Sequence, residues 1–527
     1  MNATVEESAP PAAAPARRWL SLAVLCLALL IVTLDNTVLN VVLPTLVRDL
    51  HVSSSGLQWI VDAYVLVFAG LLLVSGSLAD RVGRKKTLLC GQAVFIAGST
   101  WAAFSGSSAG LIAARAAMGV GAALIMPSTL SVVTSLFPDH RERQRAFGIW
   151  AATSGVGIAL GPIVGGLLLS RFWWGSVFLI NVPIVAVSLV AGAALLPDTR
   201  NPRAHRPDVV GSVLSIASLT LLVWAVIEAP EYGWTSAKVL GVGAGGLVAL
   251  GAFVAWEARH PAPMLRLSFF RSRSFSTGIG TLAVVMFAGS GGLFVLTQYL
   301  QFDLGYSALA SGVRLLPAAG LIVLTAPFAP AVIRVFGARP PTVAGLLVLA
   351  GGLWQFGATS VSDGYPRMLP FMILMGIGTG LVLPAATSAV MDSLPREHAG
   401  VGSATNSTFL QIGTVLGVAV VGSLLSTRYR HHMAGAPVTG LLPHGVEDAV
   451  LGSVGDALAV AAATGGAAGA ALARVAREAF VDGMDLGLTV AAVVTAVAAV
   501  LAAFLLPAGR RRARQEPRWE MSDQNIP

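Results

Sequence analysis

Charge is what this chain has least of. Only 11% of its 527 residues are Asp, Glu, Lys or Arg, against about 25% in an ordinary soluble domain. With 55% hydrophobic residues and a mean hydropathy of +0.76, there is no polar face to turn to water. That excludes a soluble globular fold. A chain lying in lipid must satisfy its backbone polar groups internally, and helices do so. The fold class is therefore an all-α integral membrane protein. Cysteine is also scarce. Cys26 and Cys90 both lie in apolar runs and read as small core residues, which excludes a disulfide framework and a thiolate metal site. No nucleophile–base constellation, metal-ligand spacing or phosphate-binding loop occurs, since a lone "GVG" at Gly119–Gly121 carries no such signal. No catalytic residue, metal or cofactor is expected. The first 16 residues contain Glu6 and Glu7 but no basic residue, unlike the positive start of a signal peptide. The segment from Trp19 therefore reads as a retained span.

What is present is a succession of apolar windows about 20 residues long, the length that crosses a bilayer. They fall at 19–43, 57–79, 86–105, 109–135, 147–169, 174–196, 209–229, 239–257, 276–300, 309–333, 342–359, 367–391, 401–426 and 484–506. Fourteen crossings put both termini on one side. The basic residues agree: with the termini cytoplasmic, 24 of the 34 Lys and Arg fall inside, eight fall outside, and Arg115 and Arg314 lie within spans. This is the positive-inside bias. It accounts for the net charge of +8 without nucleic acid. Residues 427–483 read as an external, partly helical excursion. Its Ala/Gly-rich part could be another crossing, but that would put the C-terminal arginine cluster outside. His431 and His432 there read as solvated.

The chain repeats itself. Met118, Gly119, Gly121, Pro127 and Pro138 recur as Met375, Gly376, Gly378, Pro384 and Pro395 at an offset of 257. Asp49, Leu50 and Ser53 recur as Asp303, Leu304 and Ser307 at 254. The expected organisation is a tail at 1–18, a six-helix half at 19–196 and two inserted helices at 209–257. A second half follows at 276–506, including the 427–483 loop, then a tail at 507–527. Parallel six-helix halves around a midplane site form one large transporter architecture.

Between spans 2 and 3 stands "GSLADRVGRKKTLL". Gly76 permits a close helix contact and Gly83 a tight turn. Arg81, Arg84, Lys85 and Lys86 face anionic headgroups, and Asp80 with an arginine forms either a topology anchor or a latch across a cytoplasmic gate. This stretch closely resembles the 2–3 loop signature of the major facilitator superfamily. Gly157-xxx-Gly161-Pro162-xx-Gly165-Gly166 resembles that superfamily's antiporter motif, and "LIAARAAMGVG" resembles its motif with an intramembrane arginine, here Arg115. "LDNTVLNVVLPTL" resembles a signature of the fourteen-helix drug:proton antiporter family. The second-half counterpart of the 2–3 loop, "APAVIRVFGARP", keeps Arg334, Gly337 and Arg339 but has no acid where Asp80 would fall.

The antiporter motif has a physical rationale. Small-xxx-small spacing lets two backbones approach, Pro162 bends its helix, and a dry contact there stops leakage. Ordinary glycine packing gives the same spacing. Within the spans, a charge costs roughly 2.5–3.5 kcal/mol on insertion scales. Asp35, Asp62 and Arg115 nevertheless share a depth of roughly 7–12 Å below the outer boundary at 1.5 Å per residue. Such groups pair and face cavities, so each acid is expected either to handle protons or to pair structurally with Arg115. At offset 254 Asp35 maps to Gly289 and Asp62 to Leu316, which confines coupling to the first half. Asn36, Phe287, Phe294, Gln298 and Trp354 are expected to line a cargo cavity, although the aromatics suit a lipid-facing position as well. Asp303 and Glu228 read as interfacial.

The resemblance implies a proton-coupled exporter of lipophilic, cationic drugs or antibiotics in a bacterial plasma membrane, working by alternating access. Its partners are cargo, protons and lipids, with no obligatory protein. Rival readings are export of an endogenous antibiotic, lipid or siderophore, a proton-coupled nutrient symporter, and a membrane enzyme or receptor.

Overall fold

The computed structural model describes residues 15–198, 208–261, 263–361, 363–394, 399–438 and 444–507. The tails before 15 and after 507, Arg200, Arg203, Arg206, Pro395 and Arg396 lie outside these residues. The described chain is helical: α1 (Pro15–Leu50), α2 (Ser54–Val82), α3 (Arg84–Ala103), α4 (Ser108–Leu136), α5 (His140–Arg171), α6 (Ser176–Leu179), α7 (Asn181–Leu195), α8 (Val209–Ile227), α9 (Ala229–Tyr232), α10 (Ala237–Arg259), α11 (Arg273–Gln298), α12 (Ala308–Arg314), α13 (Leu316–Thr325), α14 (Ala329–Phe336), α15 (Arg339–Gly357), α16 (Leu369–Asp392), α17 (Ala399–Ala434), α18 (His444–Gly452), α19 (Val454–Thr464) and α20 (Gly466–Leu505).

Local sequence sets the ends. Ser53, Ser107, Asp139, Ser236, Ser272, Ser307 and Ser453 each accept a backbone N–H from the following first turn, satisfying one of the donors a helix start leaves open. Gly83, at φ 122°, separates α2 from α3. Gly465 and Gly466, at φ 63° and 60°, make the reversal between α19 and α20, because only glycine adopts that backbone freely.

Among the described residues, twelve helical stretches are long and apolar enough to span a membrane. The windows 86–105 and 342–359 correspond to α3 and α15, helices of 20 and 19 residues that are not among the twelve. The window 309–333 is one continuous apolar stretch in sequence but three helices in space. Pro317, Pro327 and Pro330 sit at the starts of α13, a 3-10 turn and α14, where a missing N–H costs least. The window 174–196 begins with the short α6 and turns at Ile180 into α7. The Ala/Gly-rich segment is no single long helix: α19 has 11 residues, too few to cross, and α20 runs unbroken for 40 residues from the glycine turn.

Helices α1–α5 and α7 pack among themselves, as do α11, α15–α17 and α20. Between these groups α5 lies against α12 and α2 against α17, and the α8–α10 pair leans on both α2 and α17 through α8. The repeat positions make the same crossings. A Cβ on Gly121 would meet the Gly91 carbonyl oxygen at 2.8 Å, and one on Gly378 would meet that of Gly345 at 2.7 Å. Gly91 and Gly345 are themselves 254 residues apart.

Candidate functional site

Five helices, α1–α4 and α7, bring the first site together. Asp35 of α1 is 2% exposed and Arg115 of α4 is fully buried. The Arg115 guanidinium donates to Asp35 Oδ2 at 2.6 Å and, through Nε, to the Ile60 carbonyl at 3.1 Å. Its carbon lies 4.2 Å from the Tyr64 ring centroid, a cation–π distance. Asn181, the first residue of α7, donates its amide to Asp35 Oδ1 at 2.9 Å and to Ser99 Oγ at 3.0 Å. Ser99 in turn donates to the Phe178 carbonyl at 2.8 Å. One terminal guanidinium nitrogen of Arg115, the Tyr64 hydroxyl and the Asn181 carbonyl oxygen remain unpartnered among the described residues. An ion pair removed from water is retained only when further hydrogen bonds hold it, and Asn181 supplies one.

Asp62 stands apart from this pair despite its similar depth. It is fully buried, and neither carboxylate oxygen has a partner among the described residues. Ile60 and Tyr64, which hold Arg115, are four residues apart on one face of α2, and Asp62 between them falls on the opposite face. That face also carries Gln58, one turn away, whose side chain packs on Gly422 of α17 and accepts from the Ser423 hydroxyl at 3.2 Å. Asp62 therefore belongs to the side of α2 turned toward the other helix group.

The glycines of the antiporter motif sit at two crossings. Gly157, Gly161 and Gly165 face Thr33, Thr37 and Val38 of α1. Gly166 lies against the Leu309 backbone, and the Pro162 carbonyl against Gly312 of α12. A second, unforeseen seam mirrors this one. Gly413, Gly417 and Gly422 stand 256 residues after Gly157, Gly161 and Gly166. They pack on Ala283, Phe287 and Gln58. Val418 replaces Pro162, which is why the repeat escapes a proline-centred motif.

Several expectations are corrected. A side chain at Gly76 would meet nothing within 4 Å among the described residues, so none of them makes a close helix contact there. Asp80 accepts Arg84 Nε and a terminal guanidinium N–H, each at 2.9 Å, and Arg84 also donates to the Ser131 carbonyl at 3.1 Å. This pair ties α2 and α3 to α4 inside one helix group and does not reach across to the other. Arg81 is exposed, while Lys85 caps α7 through the Ala193 carbonyl at 2.7 Å. Trp354 is 59% exposed on the outer surface of α15, whereas Phe287, Phe294 and Gln298 are buried in packing. Gln298 donates to its own helix at Phe294, and Asn36 is half-buried. Cys26 is buried, but Cys90 is exposed on α3. His432 is not simply solvated, since it meets Asp482 at 3.2 Å. Glu228 accepts the Trp59 indole N–H at 2.9 Å, which docks α8 on α2. Asp303 ends a π-helical turn with both oxygens unpartnered among the described residues.

A helical membrane fold with a buried acid–arginine pair and glycine seams between two helix groups defines a membrane transporter. The profile of the Major Facilitator Superfamily matches residues 25–418, and the chain belongs to that family. It is 36% identical to the tetracenomycin C resistance and export protein of Streptomyces glaucescens, covering 93% of this chain and 91% of that protein. It is 36% identical to the multidrug efflux pump LfrA of Mycolicibacterium smegmatis, covering 97% and 100%. It is 33% identical to the methyl viologen resistance protein SmvA of Salmonella typhimurium, covering 94% and 100%. Its fold is similar to a bacterial homologue of the human lysosomal transporter Spinster, with a TM-score of 0.65 at 18% identity over 94% of this chain and 98% of that one.

Proposed function

We propose that the chain is a proton-coupled exporter of lipophilic, cationic small molecules that crosses the bilayer fourteen times with both termini cytoplasmic. The observation that carries this reading is the buried Asp35–Arg115–Asn181 network, together with the efflux pumps among the chain's relatives. Asp35 exchanges its proton as Arg115 moves toward or away from it. Asp62, a buried carboxyl without a partner among the described residues, takes up a proton or meets the cation of the cargo on the side of α2 turned to the other half. The halves are 19–196 and 276–506, and 209–257 is inserted between them. The close crossings between them, Pro162–Gly312, Gly166–Leu309 and Gln58–Gly422, lie toward the ends assigned to the outside. They support a state sealed outside, with Pro162 and Gly166 at the seal and Gly157, Gly161 and Gly165 holding α5 close against α1 beneath it. Asp80, Gly83 and Arg84 brace the cytoplasmic ends of α2–α4 when the gate opens.

Asp35→Asn is expected to abolish efflux driven by a pH gradient in everted vesicles while leaving insertion intact. Undiminished efflux would remove Asp35 from coupling. A second cargo reading, export of an endogenous antibiotic, is favoured by the similarity to the tetracenomycin C resistance and export protein. A metabolite profile of a deletion strain would separate the two.

A further inference from the structure

Tyr64 of α2 is fully buried, and its hydroxyl has no partner among the described residues. A hydroxyl buried without a hydrogen bond lowers stability. A phenylalanine would fill the same place without that loss. The backbone crossing does not require the ring either. Gly119, one turn beyond Arg115 on α4, leaves no room for a Cβ against the Tyr64 carbonyl. At the matching crossing of the second helix group, Gly376 is set in the same way against the Ala318 carbonyl. Gly119 and Gly376 are 257 residues apart, and Tyr64 and Ala318 are 254 apart. The same crossing is thus made with an alanine. The tyrosine stands where the Asp35–Arg115 pair stands and is missing where that pair is missing.

The ring touches the pair. Arg115 gives its Nε–H to the Ile60 carbonyl and one terminal nitrogen to Asp35. Its other terminal nitrogen is buried and unpartnered among the described residues, and its guanidinium carbon lies 4.2 Å from the Tyr64 ring centroid. An open donor and an open hydroxyl therefore share one α2–α4 layer. A buried guanidinium is costly without partners, and a proton on Asp35 takes its charged partner away. We propose that Tyr64 is a positioning residue that holds Arg115 while Asp35 carries the proton. The ring stays beneath the guanidinium, and the hydroxyl oxygen accepts the N–H that is open in this structure. The hydroxyl keeps its own proton, and the proton on Asp35 comes from water and returns to water. When Asp35 releases it, Arg115 turns back to the carboxylate. This inference rests on the coupling role proposed for Asp35. Asp35 and Arg115 are the charges that act on Tyr64. Around Asp35, α7 and α3 bring the uncharged Asn181 and Ser99, α5 brings glycines, and α11 has no charged residue beyond Arg273 at its start. Asp62 lies on the far side of α2.

The test compares the wild-type chain with Tyr64→Phe, Tyr64→Leu and Asp35→Asn. Ethidium transport is measured in everted vesicles loaded at a series of lumen pH values, and melting temperature is measured on the purified full-length proteins. Tyr64→Phe should need about tenfold more protons in the lumen for its half-maximal rate, a shift of about one pH unit, the scale of one hydrogen bond to a charged group. Its melting temperature at pH 8 should equal or exceed that of the wild type. A purely structural tyrosine would move neither readout in this combination. Tyr64→Leu, which also empties the place of the ring, should shift the profile and melt lower. An unshifted profile in Tyr64→Phe, or a lower melting temperature for it, overturns the proposal. Efflux driven by a pH gradient that persists in Asp35→Asn overturns the coupling reading and this inference with it. Loss of efflux in Asp35→Asn beside an unshifted Tyr64→Phe overturns the role of Tyr64 alone.

Discussion

The two helix groups make the same backbone crossings but hold different chemistry at them. Where the first group has Asp35 and Arg115, the second has Gly289 and Met372 at offsets of 254 and 257. Where α5 bends at Pro162, α17 continues through Val418. Glycine contacts survive in both groups because they fix how close two backbones lie. The charges do not recur, because a buried pair costs desolvation and one such site suffices. The comparison teaches that scaffold and chemistry are separable here: the scaffold is duplicated and the chemistry is single.

Changes that carry one half toward the other test this. The largest effect is expected for Arg115→Met, the residue at the second-half counterpart. It strands Asp35 without its cation, and stranding one partner of a buried pair costs about 3–5 kcal/mol. Thermal unfolding should show that loss, and efflux should vanish. Unchanged stability would mean that the two groups do not differ in what they bury. Asn181→Ala removes a hydrogen bond to a carboxylate, worth about 1.5–3 kcal/mol, and efflux should fall with it. At the seams, Gly166→Ala should cost about 1–3 kcal/mol, as overpacking does, because its new methyl meets the Leu309 backbone. Gly422→Ala should cost less, because there the methyl meets the end of the Gln58 side chain. Equal costs would erase the distinction between the seams. Ser423→Ala should lose about 1 kcal/mol with its hydrogen bond to Gln58, a contact that the α5–α12 seam lacks.

The smallest effect concerns pH. Burial raises the Asp456 carboxyl of α19 above its ordinary value, and the neighbouring His51 lowers it in part. A raised value means that docked α19 favours the proton. Its contribution is therefore present at low pH and fades as pH rises through the shifted value. Disulfide cross-linking between cysteines at Ser54 and Gly452, which touch at 2.8 Å through the Ser54 hydroxyl, should be faster at pH 5 than at pH 8 after correction for thiolate chemistry. Asp456→Asn should flatten that dependence.

Much of this was legible in the sequence, for identifiable reasons. Spans announce themselves because lipid demands long apolar runs. The Asp35–Arg115 contact follows because two opposite charges at one depth in lipid have every reason to meet. The direction of Asp62 was not drawn from the sequence, since depth alone does not give rotation about the helix. Asn181 was invisible because a single amide in an apolar run has no signature. Trp354 misled for a deeper reason: in a membrane the core and the lipid are equally apolar, so hydrophobicity no longer distinguishes inside from outside. The breaks around α12–α14 were carried by prolines that an averaged hydropathy window smooths over.

Two of the longest helices, α17 and α20, are much longer than the membrane requires. At 1.5 Å per residue, α17 and α20 measure about 54 Å and 60 Å, against a hydrocarbon thickness of about 30 Å. They are joined at their far end by α18 and α19, which rest on residues of the first group, Ser54 and Val47. A rigid pair of rods of that length is a lever. Any tilt of the second half about the midplane becomes a larger sweep at the His444–Thr464 tip, so a fluorophore pair placed across that tip would read the motion of the whole protein at its greatest amplitude.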